Sequence, residues 1–322
     1  ALSVVIPVLS STFASVGRFL KHAGNKSLGM LIIDESGQAV PQSALGAIYR
    51  TKRAVVVGDP LQVEPVVTIP NVLIDILGEN TGVEKCYRAI ENSAQTFADN
   101  INEFNGMIGN RQVGCPLVVH RRCIDPMFSI SNLISYDNRM FNKTNKKEEY
   151  LKPENPFLIK KSGWIHVEGE ENGNRDHFVK NQAERVCQLM EGAVHIYLDF
   201  FETDDKIFII TPFRTVAESM REFIVSYFSK KGYDKKVLSK WTKNCVGTVH
   251  TFQGKDANEV LFVLGCSNKS EGAMNWVVKK ANILNVACTR AKYRIAFIGN
   301  INDWKDKKYF EDFITDLIDI IQ

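Results

Sequence analysis

No run of about 18 apolar residues occurs in the 322-residue sequence, so no transmembrane helix is expected. The seven cysteines (Cys86, Cys115, Cys123, Cys187, Cys245, Cys266 and Cys288) form no C-x-x-C pair and no Cys/His cluster with zinc spacing. That pattern argues against a zinc ribbon, a thioredoxin-like centre or a disulfide scaffold. Buried free thiols suit a reducing interior, and a cytoplasmic, intracellular location is expected. An excess of one charge is missing too: 40 Lys+Arg face 37 Asp+Glu, for a net +3. Residues 113–322 hold 31 basic and 27 acidic side chains, which permits nucleic-acid binding without requiring it. There is no repeat of fixed period. What is present is bulk: at 44% hydrophobic, the chain can bury a sizeable core and is expected to divide into two domains.

Hydrophobic patterning gives an α/β reading. Leu31-Ile32-Ile33, after Met30, predicts a strand buried on both faces, as inside a parallel sheet. Residues 2–9 predict another strand, interrupted by Pro7, followed by a helix from Phe13 to His22. A helix follows over 41–49 with Pro41 in its first turn, then a second buried strand, Arg53–Val57, stopped by Gly58-Asp59-Pro60. Strand, helix and strand with short links make a βαβ unit. Ser93 predicts an N-cap for a helix over 94–101. Gly106–Gly114 reads as a link between domains spanning 1–112 and 113–322. Beyond it, helical material is expected around 124–135, a Lys-rich loop over 142–156 and a glycine- and acid-rich loop over 169–176. Strands are expected at 163–167, 207–211, 246–250, 260–265 and 295–299. Helices are expected over 181–192 and near 215–230, 275–290 and 307–321.

Several stretches carry candidate chemistry. The first strand ends on Asp34-Glu35; at the C-terminal edge of a parallel sheet an aspartate can hold a metal-bound water. A neighbouring glutamate can orient attacking water. Gly58-Asp59-Pro60 is turn chemistry, but Gln62, four residues past Gly58, can donate to phosphate and accept from water. His120-Arg121-Arg122 offers two cations, which read equally as a solvated face. Gly254, in Thr248–Asp256, lets backbone approach a ligand closely. Asp256 can accept from ribose hydroxyls. Arg290 offers a rigid guanidinium suited to stabilising charge on a transferring phosphoryl group.

In order, these stretches resemble the motifs of superfamily 1 helicases, in the 5′→3′ branch containing the nonsense-mediated-decay helicase and its nuclease-helicase relatives. Asp34-Glu35-Ser36-Gly37-Gln38-Ala39 resembles motif II, Gly58–Pro65 motif III and His120-Arg121-Arg122 motif IV. Thr248–Asp256 resembles motif V and Asn285–Lys292 motif VI. Thr211-Pro212-Phe213-Arg214 resembles a short segment that contacts nucleic acid. The resemblance implies two RecA-like parallel sheets flanked by helices (the P-loop NTPase type), one partial and one complete. It implies ATP and Mg²⁺ as cofactors, held in an inter-domain cleft, and single-stranded DNA or RNA as partner. Asp34 would hold Mg²⁺ through water, Glu35 would act as general base, and Gln62 would sense the γ-phosphate. Arg122 and Arg290 would neutralise that phosphate. Gly254, Lys255 and Asp256 would lie beside the nucleotide, and Thr12, Thr211, Pro212, Thr248 and Thr251 along the nucleic-acid strand. Two positions depart from the family pattern: Asp256 stands where glutamate is usual, and Arg121 where tyrosine is common.

A Walker A loop, G-x-x-x-x-G-K-S/T, cradles phosphates with backbone amides. The sequence has no such loop: its one Gly-Lys pair, Gly254-Lys255, is followed by aspartate. Since Ala1 falls inside an apolar stretch, the chain is expected to be part of a longer protein with the P-loop upstream. Two rival readings are a degenerate nucleic-acid-binding module and a translocase that remodels complexes without unwinding. Retention of Asp34, Glu35, Gln62 and Arg290 favours a working motor over the first. Residues 1–322 alone are therefore expected to bind ATP weakly and to release no phosphate above background in a Mg²⁺-containing turnover assay. Robust turnover by this chain would overturn that expectation.

Overall fold

The computed structural model describes residues 6–88, 92–108, 111–144, 158–173, 176–195, 199–203, 206–252 and 254–321. The chain forms two compact units, residues 1–116 and 117–322.

The first unit runs α1 (Phe13–Phe19), β1 (Leu28–Ile33), α2 (Pro41–Tyr49), β2 (Thr51–Val56), α3 (Asn71–Asn80) and α4 (Ala94–Ile101). A hairpin of β3 (Gly106–Ile108) and β4 (Arg111–Val113) comes next, within the stretch read as a link. Strands β1 and β2 pair in parallel, Ile33 opposite Val56, which makes the expected βαβ unit. Pro41 opens α2 at the position where a missing N–H costs nothing. Ser93 caps α4 reciprocally: its hydroxyl accepts from Thr96 N at 3.2 Å while Thr96 Oγ1 accepts from Ser93 N at 2.8 Å.

Burial in this unit departs from expectation. Ile33 packs with Ala44 of α2 and Ala94 of α4, with Leu31 and Val56 against them. Met30, Ile32 and Val55 are 56%, 68% and 45% exposed, so β1 and β2 are not buried on both faces. The two strands form a sheet of their own. Side chains alternate across a strand, and helices bury one face only among the described residues. The strand predicted over 2–9 is also corrected: residues 6–9 have no regular structure, and 2–5 lie outside the described residues.

The second unit begins with β5 (Val119–His120), α5 (Met127–Ser135) and β6 (Phe141–Asn142). It continues through β7 (Gly163–His166), α6 (Lys180–Val194), β8 (Ile207–Thr211), α7 (Arg214–Ser229), α8 (Lys235–Cys245) and β9 (Val246–Thr248). Then come β10 (Ala257–Val263), α9 (Glu271–Val277), α10 (Asn282–Arg290), β11 (Ala291–Gly299), α11 (Ile301–Trp304), α12 (Phe310–Phe313) and β12 (Ile320–Ile321). Six strands form one all-parallel sheet in the order β12-β7-β11-β10-β8-β9. Both of its faces are packed. Ile165, Ile209, Leu261, Val263, Ala296 and Ile298 point toward α6, α7 and α8. On the other register Trp164 stacks on Phe297 at 5.7 Å between ring centroids, and Phe208 on Phe252 at 4.3 Å. This is the period-two burial expected of a parallel sheet covered on both sides.

Several predicted boundaries move. The strand over 246–250 stops at Thr248, where a 3-10 turn over Val249–Phe252 begins. The helix near 275–290 is two helices, α9 and α10. The helix predicted over 307–321 is replaced by short α12 and by β12, whose Ile320 and Ile321 pair with Trp164 and Ile165. Two apolar β-branched residues complete a sheet edge there more favourably than they would continue a helix. The helix α8 was not expected. The loop over 142–156 lies mostly outside the described residues.

One carboxyl sits inside this core. Glu259 of β10 accepts from Leu158 N at 2.7 Å and Ile159 N at 3.1 Å. Burial pushes it up to about 8 from 4.5, against those two hydrogen bonds and the nearby Arg294. The folded protein thus keeps a proton that the unfolded chain loses, so this contribution to stability is full below about pH 4.5 and is lost as pH rises through about 8. Urea midpoints of wild type should fall across that window relative to those of Glu259→Gln. A parallel pH dependence in the two proteins would refute the assignment.

Candidate functional site

In the first unit the two carboxylates sit where β1 gives way to a turn. Ile33 O accepts from Val57 N at 2.8 Å and Val57 O accepts from Ser36 N at 2.9 Å, so the exits of β1 and β2 are laced together. The turns touch at backbone distance: a Cβ on Gly37 would stand 2.6 Å from Asp59 O, and one on Gly58 2.5 Å from Gly37 N. Both positions therefore require glycine.

Glu35 takes a left-handed conformation at φ 52°, which costs a non-glycine residue on the order of 1–3 kcal/mol. It stays exposed beside exposed Asp34. Asp34 Oδ1 accepts from Glu35 N at 2.9 Å, and Glu35 Oε2 from Gln38 Nε2 at 3.0 Å. Gln62, half-buried, donates from Nε2 to Asp59 Oδ2 at 3.0 Å, so it belongs to the turn that touches Gly37. The hard oxygen donors of Asp34 suit Mg²⁺ bound through water.

Behind the turn lies a polar chain that sequence reading did not find. Ser36 donates to Gln95 Oε1 at 2.6 Å, Gln95 Nε2 donates to Asp99 Oδ1 at 2.9 Å, and Gly114 N donates to the same oxygen at 3.1 Å. Arg111 donates to Pro60 O at 3.1 Å. Burial lowers its guanidinium pKa, opposed by Asp99, Asp59 and Glu64. Thr12 is exposed and precedes α1 without a side-chain capping bond.

In the second unit, Thr211 and Thr248 are register partners at the ends of β8 and β9. Thr211 is 1% exposed and Pro212 is buried; Thr248 is half-buried and Thr251 exposed. Thr251 Oγ1 accepts from Thr248 N at 3.3 Å, and a Cβ on Gly247 would meet that oxygen at 2.7 Å. Gly254 is left-handed at φ 77°, with open space where a Cβ would stand. Lys255 is exposed. Asp256 pairs with Lys292 at 2.6 Å, a contact that a ribose hydroxyl would have to share.

The two arginines differ in setting. Arg122 is half-buried between β5 and α5. Arg290 is 1% exposed and donates to Lys255 O at 3.0 Å and Phe252 O at 3.4 Å. Its guanidinium thus holds the loop carrying Gly254 and Asp256. The helix bearing it is fastened to α5, since Ser131 donates to Asn285 Oδ1 at 2.6 Å and Asn285 Nδ2 donates to Tyr136 OH at 3.0 Å.

A second cluster escaped the sequence because its members lie far apart. Ligand atoms of Glu171, His177 and Cys266 lie within 4.8 Å of one another. Burial acts to raise Glu171, but hydrogen bonds from Ser267 N, Ser270 Oγ and His177 outweigh it and hold the carboxyl below its ordinary value. Burial pushes the Cys266 thiol up, away from the thiolate. The carboxylate is saturated by donors, and the cluster ties Glu171 and His177 to the exit of β10.

Among the described residues no helix is long and apolar enough to cross a membrane. A family model described as AAA domain matches residues 103–302, and another of the same description matches residues 6–69. Probable helicase senataxin of Mus musculus is 23% identical over 321 residues, covering 96% of this chain and 11% of that protein. ATP-dependent helicase upf1 of Schizosaccharomyces pombe is 25% identical over 280 residues, covering 84% of this chain and 26% of that protein. The DNA replication ATP-dependent helicase/nuclease DNA2 of Bos taurus is 24% identical over 298 residues, 85% of this chain and 25% of that protein. The chain thus spans between 11% and 26% of these relatives. Among solved structures, the complex of arterivirus nonstructural protein 10 (helicase) with DNA has a TM-score of 0.39 at 12% identity, covering 87% of this chain and 42% of that chain.

Arg290→Ala would remove the donor from one buried and one part-buried carbonyl and open a cavity, so a loss of roughly 2–4 kcal/mol is expected. Thermal melting of the second unit should fall by several degrees, and Arg290→Lys should recover little because a point charge cannot reproduce the fork. Unchanged melting for Arg290→Ala would show that the guanidinium does not hold the loop.

Proposed function

From its membership of the AAA-domain family, and its place among superfamily 1 helicases of the Upf1-like type, we propose that this chain is the back part of an ATP-driven motor that moves along single-stranded nucleic acid and separates duplexes. The observation that carries this reading is the turn after β1. Glu35 is held left-handed and exposed beside Asp34, on a turn locked by Gly37 and Gly58 against the one bearing Gln62. A strained acid kept at a strand exit, with its supporting turn packed at backbone distance, is a costly arrangement for a solvated surface and a fitting one for a base.

In this reading Asp34 would hold Mg²⁺ through water, and the ion would supply positive charge to the phosphates of the nucleotide. Glu35 takes a proton from the attacking water; Gln38, bonded to its Oε2, fixes which carboxylate oxygen faces outward. Gln62 orients water or phosphate from the adjoining turn. Arg122, half-buried, is the more accessible of the two candidate cations, whereas Arg290 positions the loop of Gly254, Lys255 and Asp256 beside the nucleotide. Thr248 and Thr251 contact phosphates of the strand without reading its bases; Thr211 and Pro212 are buried, and Thr211 supports Thr248 through the pairing of β8 with β9. Movement without unwinding is the second reading; it uses the same residues, and a strand-displacement assay on the parent protein separates the two.

Glu35→Gln in the parent protein tests the assignment. Loss of a general base is expected to slow ATP turnover by about 10²–10⁴-fold, with nucleotide affinity near wild type because the amide keeps the shape of the side chain. Turnover within a few-fold of wild type would overturn the proposal.

A further inference from the structure

We propose that the groove between α7 and α8 is a second contact surface for the phosphodiester backbone of a nucleic acid, on a different part of the second unit from the exits of β8 and β9. Helical spacing puts Arg221, Val225 and Ser229 on one face of α7, and Lys235, Ser239 and Lys243 on one face of α8. Those two faces line a groove of about 840 Å³, with Lys230 at the helix junction. Helix α7 starts just after Thr211 and leads back along the sheet. Arg221 Nε and one terminal nitrogen donate to Val246 O, at the start of β9, at 2.9 and 2.7 Å. The groove therefore lies toward the strand-entry edge of the sheet, away from Thr248 at the end of β9.

The chemistry of the walls selects phosphate. Four cations (Arg221, Lys230, Lys235 and Lys243) face a single carboxylate, Glu222. The exposed hydroxyl of Ser226 stands among them, a donor that phosphate oxygens accept from, whereas Ser239 already donates to Lys235 O at 2.7 Å. Lys235 and Lys243 are exposed and lie eight residues apart, about 12 Å along the helix. Phosphates succeed one another about every 3.4 Å along one strand of a duplex. Cations spread over that length match a row of phosphates better than one ion. The choice of a nucleic acid over another polyanion rests on the motor reading above.

The test is fluorescence anisotropy of a 20-nucleotide deoxythymidine strand titrated with residues 1–322 over a range of salt. Lys235→Glu/Lys243→Glu should weaken binding at least tenfold at low salt. The slope of log affinity against log salt should shrink by roughly 1.4, about 0.7 for each lost contact to a single strand. Lys305→Glu/Lys308→Glu, an equal change of net charge on exposed residues after β11, should leave the slope near wild type. Circular dichroism checks that both variants fold. An equal loss in both variants would reduce the effect to net charge and overturn the proposal. So would an unchanged slope in Lys235→Glu/Lys243→Glu. Tripolyphosphate binding as tightly as the oligonucleotide, and lost in the same variant, would make the groove a site for a free anion and overturn the polymer assignment. None of these readouts involves ATP turnover, so failure here is distinguishable from failure of Glu35→Gln.

Discussion

Parallel pairing puts the exits of successive strands side by side, and in each unit the candidate residues sit on the turns just beyond those exits. In the first unit the register Ile33 opposite Val56 places the Asp34-Glu35 turn against the Gly58-Asp59 turn. In the second, Thr211 opposite Thr248 does the same for two hydroxyls and the loops behind them. The same pairing needs a cover on each face, because both rows of side chains are apolar. The six-stranded sheet meets that demand with helices and aromatic stacks; the two-stranded sheet meets it on one face.

Close approach of two turns leaves no room for side chains, and the consequences spread from there. With Gly37 and Gly58 in backbone contact, Ser36 is carried inward, and a buried hydroxyl must find a partner. It finds Gln95, which finds Asp99, which accepts from Gly114. The polar chain therefore ties the carboxylate turn to α4 and to the segment after β4. A buried chain of this kind stabilises only when every member is satisfied, so the exposed acids are positioned by residues as far as 80 positions away in sequence.

Features set by neighbours in sequence were legible before the structure; those set by distant partners were not. Pro41 and Ser93 announce their helices because first-turn and capping chemistry acts over three or four residues. The strand cores at 207–211 and 295–299 follow from short apolar runs. The 307–321 stretch misled because a helical reading of it ignores Trp164 and Ile165, with which Ile320 and Ile321 pair. Lys235–Cys245 was missed because its lysines mask an apolar stripe, Leu238, Trp241 and Cys245, which packs against the sheet. Of the candidate site, the identities of Asp34, Glu35 and Gln62 were readable. Their supports, Gln95, Asp99 and Arg111, were not, since nothing local marks them.

The setting of Arg290 shows how a motif residue can serve by holding rather than by touching. A guanidinium 1% exposed has given up its hydration, and two backbone carbonyls offset part of that cost. Pulling it out to meet a phosphate would strand those carbonyls, at about 1–3 kcal/mol for each unsatisfied group. The gain would have to exceed that loss in the transition state alone to speed a reaction. Arg122, half-buried, faces no such demand. Asp256 reinforces the contrast: its pair with Lys292 fixes the far side of the loop that Arg290 holds from within. Gly254, left-handed and with open space at its Cβ position, is then the point where the loop presents bare backbone.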